Sequence, residues 1–335
     1  MMNNSRWILR RRPNATLVSS DLELVETAPP VPGDDELLVR NIYLSLDPTN
    51  RLWMSDREQY LPPVQIGDVM RGMTIGIVEH SNSPRFAAGD IVLLGEGGWQ
   101  RYVCAKARAA RKLQPEPGIP LTAYLSALGP TGLTAYFGLL DIGRPQPGET
   151  VVVSAAAGAV GSIVGQIAKI KGARVVGIAG SKAKCDWLTD ELGFDGAIDY
   201  KSEDVEDALD RLCPDGIDVN FENVGGSIMS AVFDRMNRNG RVALCGFISS
   251  YNDEGPVAGP RDFGRILMQR LTVRGFIVID YLPQIEEAFA DLSRWIAEGR
   301  IKWKDHVVQG LDQAPDSLNL LFSGGNDGKL IVELD

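Results

Sequence analysis

Apolar positions follow two different rhythms along this chain, and the change between them comes near residue 126. Before that point, short apolar runs are punctuated by Gly and Pro, as at Pro29-Pro30, Pro62-Pro63 and Gly97-Gly98. This is the pattern of a β-rich domain, with candidate strands at 36–40, 73–78 and 90–94. After it, extended apolar segments alternate with helical ones, which marks a parallel α/β sheet. The pattern predicts strands at 150–154, 174–179, 197–200, 219–222, 241–245 and 273–278. Between the first two, Val160, Ile163, Val164, Ile167 and Ala168 recur at helical spacing and make one apolar stripe. One more helix, rich in Glu and Ala, is expected after residue 280. A last extended segment, Lys329-Leu330-Ile331-Val332-Glu333, closes the pattern.

With 335 residues and 44% hydrophobic content, the chain can bury a large core and has the length of two domains. Its formal charge of −10 argues against nucleic acid or an anionic membrane as partner, because both require clustered positive charge. The short run Arg10-Arg11-Arg12 lies between Trp7-Ile8-Leu9 and Pro13, and reads as an edge strand with solvated arginines. The opening Met1-Met2-Asn3-Asn4-Ser5 is polar, and no apolar run is long enough to span a bilayer. The expected setting is therefore soluble and cytoplasmic. Cys104, Cys185, Cys213 and Cys245 are scattered without a C-x-x-C pair, and His80 and His306 are far apart. Neither spacing suits a zinc site, so no metal is expected.

The sharpest local signal is Val151-Val152-Val153-Ser154-Ala155-Ala156-Ala157-Gly158-Ala159-Val160-Gly161-Ser162. A buried strand runs into a small-residue turn and then an amphipathic helix. This is the dinucleotide fingerprint with Ala155 in place of its first Gly. Gly158 would let backbone amides approach a pyrophosphate, and Gly161 would let the helix pack closely on its strand. The helix N-terminus adds N–H groups and a positive dipole end. A turn chosen only for tight packing would look similar, and the motif alone names no reaction. At the end of the second strand an NAD site carries Asp or Glu for the ribose 2′-OH. Here the strand runs into Gly180-Ser181-Lys182-Ala183-Lys184. Ser181 and Lys184 can donate to a 2′-phosphate that a carboxylate would repel, whereas Lys182 reads better as a surface lysine.

From Gly129 to Gly246 the chain resembles one branch of the medium-chain dehydrogenase/reductase superfamily. That branch holds prostaglandin reductases, leukotriene hydroxydehydrogenases, alkenal double-bond reductases and curcumin reductases. The likeness rests on Thr131-Gly132-Leu133-Thr134-Ala135-Tyr136-Phe137-Gly138-Leu139-Leu140, residues 155–171, Gly177-Ile178-Ala179-Gly180-Ser181, Asn223-Val224-Gly225-Gly226 and Cys245-Gly246-Phe247-Ile248-Ser249-Ser250-Tyr251-Asn252. It continues outward in Tyr43-Leu44-Ser45-Leu46-Asp47-Pro48, Gly98-Trp99-Gln100 and Gly324-Gly325-Asn326-Asp327-Gly328-Lys329. The resemblance implies an α/β chain with a chaperonin-like β-barrel catalytic domain over 1–125. A doubly wound parallel-sheet (Rossmann) NADPH-binding domain would then occupy 126–280, and a C-terminal return over 281–335 would complete the catalytic domain.

By position, the resemblance implies that Gly158, Ala159, Val160, Gly161 and Ser162 meet the pyrophosphate. It puts Gly180, Lys184 and Tyr200 at the 2′-phosphate. Asn223, Cys245, Gly246, Phe247, Ile248, Ser249, Ser250, Tyr251, Phe276, Ile277, Val278 and Asn326 would line the rest of the NADPH. Tyr200 is equally read as the end of a strand, Cys245 as a buried small hydrophobe and Asn326 as a turn residue. Standing in one ordered set, they favour the cofactor. Zinc-dependent relatives carry a Cys and a His where this chain has Leu44-Ser45-Leu46-Asp47 and Gly72-Met73-Thr74. They also carry a cysteine-rich lobe that is absent here. Without a Lewis acid an alkoxide loses its usual support, whereas an enolate oxygen needs only hydrogen-bond donors. The implied activity is NADPH-dependent reduction of the C=C bond of an α,β-unsaturated ketone or aldehyde, by a homodimer.

Tyr251 is the candidate catalytic residue, and Tyr43, Thr49, Arg51, Trp53 and Tyr60 are candidates for substrate contact. The family often has an aromatic residue after Asp-Pro, where this chain has Thr49-Asn50 before Arg51, so the pocket beside the nicotinamide is expected to be reshaped. A quinone or carbonyl reductase using the same cofactor is the nearest alternative. A non-catalytic NADPH-binding sensor or structural protein is the alternative from another class.

Overall fold

The computed structural model describes residues 3–253 and 255–334. Residues up to Leu125, a short stretch beginning at Tyr251, and Asp305 onward make one compact unit. Ser126–Ser250 and Gly255–Lys304 make the other. Both units are built on sheets.

In the first unit, β1 (Asn4–Leu9) and β2 (Leu22–Thr27) pair antiparallel as a two-stranded ribbon. The arginines that follow β1 are anchored rather than merely solvated. Arg10 pairs with Glu23, Arg11 with Asp21, and Arg12 donates to the carbonyls of Met54 and Val64. The same unit holds β3 (Glu36–Ser45), β4 (Thr74–Ser81), β5 (Ile91–Leu94), β6 (Tyr102–Lys106) and β7 (Ala110–Lys112). In β3 burial alternates residue by residue, with Leu37, Val39 and Asn41 turned inward, as a half-buried strand requires. The polar member of that row is satisfied. Asn41 donates to the carbonyls of Gly97 and Gln100 and accepts from the Thr74 hydroxyl at 2.8 Å. These bonds hold the Gly97-Gly98-Trp99 turn over the core, where Trp99 is fully buried.

The second unit carries β8 (Thr150–Val153), β9 (Arg174–Ala179), β10 (Gly196–Asp199), β11 (Ile217–Glu222), β12 (Met236–Leu244) and β13 (Thr272–Gly275). They form one parallel sheet in the order β10-β9-β8-β11-β12-β13. Central strands of such a sheet are covered on both faces, and every residue of β8 is buried. The helix Gly161–Ile170 returns from β8 towards β9 and buries Ile163, Val164, Ile167 and Ala168, the stripe expected from the sequence. Successive strands run outward from β8 in one direction and from β11 in the other. Strand order therefore reverses between these two, and ligands of open α/β sheets bind outside the carboxyl ends of strands at such a point.

The chain then re-enters the first unit through β14 (Asp305–Gln309) and β15 (Lys329–Glu333). The seven-stranded sheet of that unit has the order β14-β15-β3-β4-β5-β7, with β6 on β3. Re-entry comes later than the boundary after residue 280 that the resemblance implies. The helix Ile285–Ala297 buries Ala288, Leu292 and Trp295 within the second unit, where Tyr136 donates to Asp291 at 2.9 Å and packs near Trp295. β13 also stops at Gly275, short of the expected strand end. The next residue, Phe276, turns its ring edge-on to Phe221 and Tyr281. No helix among the described residues is long and apolar enough to cross a membrane.

One buried charge ties the terminal strand to the first unit. Lys329 is 2% exposed, donates to the carbonyls of Leu46 and Leu330 at 2.6 and 2.9 Å, and lies 3.2 Å from Asp47. Burial pulls its pKa below the ordinary lysine value, against the opposing pull of Asp47. The Leu46-Asp47-Pro48 turn, which leads into Thr49, is thereby fixed to β15.

Candidate cofactor and active site

The turn after β8 has the geometry its small residues allow. Ala155 adopts φ +48°, a left-handed conformation that an L-residue with a Cβ disfavours. The backbone shape associated with glycine is thus kept although the glycine is not. Ala156 N–H donates to the carbonyl of Ile178, which ties the turn to β9. Gly161 lies so close to this turn that a Cβ there would stand 2.4 Å from the Ala155 carbonyl oxygen and 2.8 Å from the Ala156 Cα. Ser162, Ile163 and Val164 bond back to Gly158 and Val160. The amides ahead of Ser162 are the first of the helix and stand outside its ladder. A pyrophosphate fits this cradle: backbone N–H groups, a helix start and no acidic side chain in the turn.

At the end of β9, Ser181 caps the helix Lys182–Asp186 by accepting from the Lys184 N–H at 3.3 Å. Lys182 is engaged with Asp186 at 2.7 Å and is exposed, in keeping with its reading as a surface lysine. Lys184 is half-buried in the same short helix. The Tyr200 ring, 42% exposed, lies against Gly180, and Lys201 stands 5.9 Å from the centre of that ring. Gly180, Ser181, Lys184 and Tyr200 are thus gathered at one corner of the sheet, with Lys201 an addition that the sequence reading did not single out.

The third part of the site lies beyond β11 and β12. Asn223 donates its N–H to the Ser154 hydroxyl and its side-chain amide to the Ser154 carbonyl, at 2.8 and 2.7 Å. Its own carbonyl accepts from Ile248 N–H. The Val224 carbonyl accepts from both the N–H and the hydroxyl of Ser249, and the Phe247 ring lies beside Gly225. Residues 223–226 and 245–250 are therefore stitched into one surface. Cys245 belongs to it as a neutral thiol, pushed up to about 12 by burial and by the nearby Glu222 carboxylate. Phe276 packs its ring on Phe221 and Tyr281, and Ile277 and Val278 follow it half-buried.

Glu222 and Ser154 organise this corner, and the sequence reading passed over both. Glu222 is fully buried and accepts from Ser154, Val224, Gly225 and Asn220. The signal was present: a carboxylate ends the strand Ile217–Glu222, directly before Asn223-Val224-Gly225-Gly226.

In the first unit, the candidates for substrate contact separate. The Tyr60 hydroxyl sits beside the Thr49 hydroxyl and the Trp53 indole. Burial raises its pKa, and those two donors pull it partly back. The Trp53 N–H is buried and completes no hydrogen bond of full geometry among the described residues. Arg71 lies over the same indole, 5.5 Å from its centre. Arg51, by contrast, is 4% exposed and donates to the carbonyls of Pro13 and Ala15. Its guanidinium braces the chain at that place. Tyr43 stands across from Glu333 in the sheet and donates to it at 3.3 Å. Asn326 is half-buried and donates to the carbonyl of Gly328, a turn contact. Tyr251 is half-buried and opens the short stretch assigned to the first unit.

Comparison with known proteins agrees with this architecture. A family profile described as the N-terminal domain of oxidoreductase matches residues 5–113, and one described as zinc-binding dehydrogenase matches residues 159–298. The chain is 42% identical to the NADPH-dependent curcumin reductase of Escherichia coli over 336 residues, covering 99% of this chain and 97% of that one. It belongs to the zinc-independent branch of the medium-chain dehydrogenase/reductase superfamily. Another member, the NADP(+)-dependent 2-alkenal reductase of Nicotiana tabacum, is 39% identical over 99% of this chain and 97% of its own. The crystal structure of CurA from Vibrio vulnificus in complex with NADPH superposes with a TM-score of 0.93 at 42% identity, over 99% of each chain.

No group of three or more His, Cys, Asp or Glu among the described residues could hold a metal ion. What this medium-chain reductase chain offers a ligand is backbone amides, hydroxyls and lysines. The tightest steric requirement of that offer falls on Gly161. Gly161→Ala should cost about 1–3 kcal/mol in urea denaturation, because the added methyl meets main-chain atoms that cannot swing away. Gly158→Ala, whose nearest contact is 3.1 Å, should cost clearly less. Equal losses at the two positions would contradict this account of the turn.

Proposed function

We propose that this chain is an NADPH-dependent reductase that saturates the C=C bond of α,β-unsaturated ketones and aldehydes. The observation that carries the reading is near-full-length likeness to curcumin and 2-alkenal reductases. It is joined to a turn after β8 that fits a pyrophosphate. NADPH, when bound, supplies the hydride. In this reading the main chain of residues 158–162 holds the pyrophosphate. Ser181, Lys184 and Tyr200 receive the 2′-phosphate, in a corner where the residues after β9 carry no carboxylate until Asp186. Thr49, Trp53 and Tyr60 are the residues offered to the substrate.

Hydride added at the β-carbon sends the alkene electrons toward the carbonyl, and negative charge gathers on its oxygen. A hydrogen-bond donor at that oxygen lowers the barrier because it meets charge that develops only in the transition state. Tyr251 takes this role through its hydroxyl. Solvent then returns a proton to the α-carbon, which leaves a saturated ketone or aldehyde.

The partner in solution is proposed to be a second copy of the chain, joined at β13. This strand is one edge of the parallel sheet, and Thr272, Arg274 and Gly275 on it are exposed. Phe263, Leu267 and Met268 precede it at 71%, 73% and 63% exposure. Two such edges pair about a twofold axis, which joins the two sheets at β13 and covers the apolar side chains. Light scattering should give the mass of a dimer, and Leu267→Glu should shift it to the monomer. A monomeric wild-type protein would remove the proposal.

Three measurements test the activity. NADPH oxidation with a panel of enones, enals, quinones and simple ketones should yield saturated carbonyl products by mass spectrometry. An alcohol or a hydroquinone as the main product would favour carbonyl or quinone reduction instead. Lys184→Ala should lower kcat/KM for NADPH by about 1–3 kcal/mol while leaving NADH use nearly unchanged. Equal losses with both cofactors would assign Lys184 to the fold. Tyr251→Phe keeps the ring and removes only the hydroxyl, and should lower kcat roughly tenfold with little change in NADPH affinity. An unchanged single-turnover rate would make Tyr251 a packing residue.

A further inference from the structure

Glu222 lies at the carboxyl end of the strand beside which strand order reverses, and its side chain is fully buried. One carboxylate oxygen accepts three hydrogen bonds: from the Ser154 hydroxyl at 2.9 Å, Val224 N–H at 2.7 Å and Gly225 N–H at 2.8 Å. The other accepts from the Asn220 side-chain amide at 3.1 Å. All four donors are uncharged, so a buried carboxylate is held here by dipoles alone. Its main-chain carbonyl accepts from Cys245 and Gly246 N–H at 2.9 and 3.1 Å. A single residue thus bonds to the end of β8, the turn after β11 and the segment after β12. Gly225 has φ +83°, which glycine adopts without a Cβ penalty, and the Val224 and Gly225 amides both point at the same Glu222 oxygen. Those amides need an acceptor inside the protein, and Glu222 supplies it.

We infer that Glu222 is a positioning residue for NADPH: its carboxylate oxygen fixes the turn 223–226, and through it the segment 245–250 that lies against that turn. The inference rests on the cofactor reading above, because it assigns these two segments to the ligand. What matters is an acceptor at one point, not the negative charge. Asn220 shows why the two can be separated. Its amide oxygen is buried and has no partner among the described residues, while its amide nitrogen faces Glu222. With a glutamine at position 222, the retained carbonyl oxygen takes the three donors. The new NH2 then donates to the Asn220 oxygen once that amide turns over. An apolar residue of similar size strands all three donors.

The experiment compares E222Q and E222L by calorimetric NADPH binding, by the increase in Tm that saturating NADPH produces, and by hydrogen exchange at Val224 and Gly225. E222Q is expected within about threefold of the wild-type Kd. E222L is expected to bind at least about tenfold more weakly, with a smaller NADPH-induced increase in Tm and faster exchange at the two amides. A residue that serves only general stability would lower the Tm of the free protein yet leave Kd unchanged, and that result overturns the inference. So does E222Q binding as weakly as E222L, since charge would then be the contribution. If E222L does not fold, Ser154→Ala, which removes one donor to Glu222 and the acceptor of Asn223 N–H, must weaken NADPH binding by about threefold or more. Unchanged binding in that variant overturns the inference as well. Wild-type protein that binds no NADPH would instead defeat the cofactor reading itself, which keeps the two failures distinct.

Discussion

At the centre of the parallel sheet β8 and β11 end side by side, and beyond Ser154 and Ala156, which still reach carbonyls of β11 and β9, the main chain leaves the ladder of the sheet. Buried main-chain donors and acceptors without partners cost on the order of 1–3 kcal/mol each, so the chain past the strand ends must find partners in a confined place. It does so with few side chains. Ser154 receives Asn223, Asn223 reaches back to the Ser154 carbonyl, and Glu222 gathers Val224 and Gly225. The turn after β8 meets the same requirement at the expense of a strained Ala155 and a glycine contact at Gly161. The helix start, the Asn223 turn and the Cys245–Ser250 segment therefore stand in fixed places before any ligand arrives. Preorganisation of this kind spares the ligand the entropy of ordering three loops.

The first unit solves a related problem with different groups. Lys329 brings a charge into the interior and directs it at two carbonyls and Asp47. Asn41 and Thr74 do the same for the Gly97 turn without charge. In each case a polar side chain is buried to hold a turn, and the turn carries residues that the family resemblance marks: Asp47 and Pro48 in one, Gly98 to Gln100 in the other. Replacing such groups by apolar ones need not reduce compactness, but it removes the specification of loop shape.

Much of the fold was legible because hydrophobic rhythm reports directly on burial. The strands Arg174–Ala179 and Lys329–Glu333 lie where the pattern put them, and so does the stripe of the helix Gly161–Ile170. The dinucleotide turn was legible because a glycine at Gly161 answers a steric demand that local sequence reveals. Less legible was anything set by partners distant in sequence. Arg51 looks like a substrate-facing cation, yet it bonds to carbonyls more than thirty residues away. The resemblance puts the helix Ile285–Ala297 in the C-terminal return of the catalytic domain, whereas it docks in the second unit through Tyr136 against Asp291 and Trp295. Glu222 was hidden for the same reason: its donors come from positions 154, 220, 224 and 225, and only the folded sheet brings the first of them near.

The central claim is that the reducing hydride goes to a carbon–carbon double bond and not to a carbonyl or a quinone. It is tested most directly by turnover of a simple enone with NADPH deuterated at C4, run separately with each C4 epimer. The account predicts that one epimer places a single deuterium on the β-carbon of a saturated ketone, as read by NMR and mass spectrometry. Deuterium on a carbinol carbon, or consumption of NADPH with the enone returned unlabelled, would contradict it.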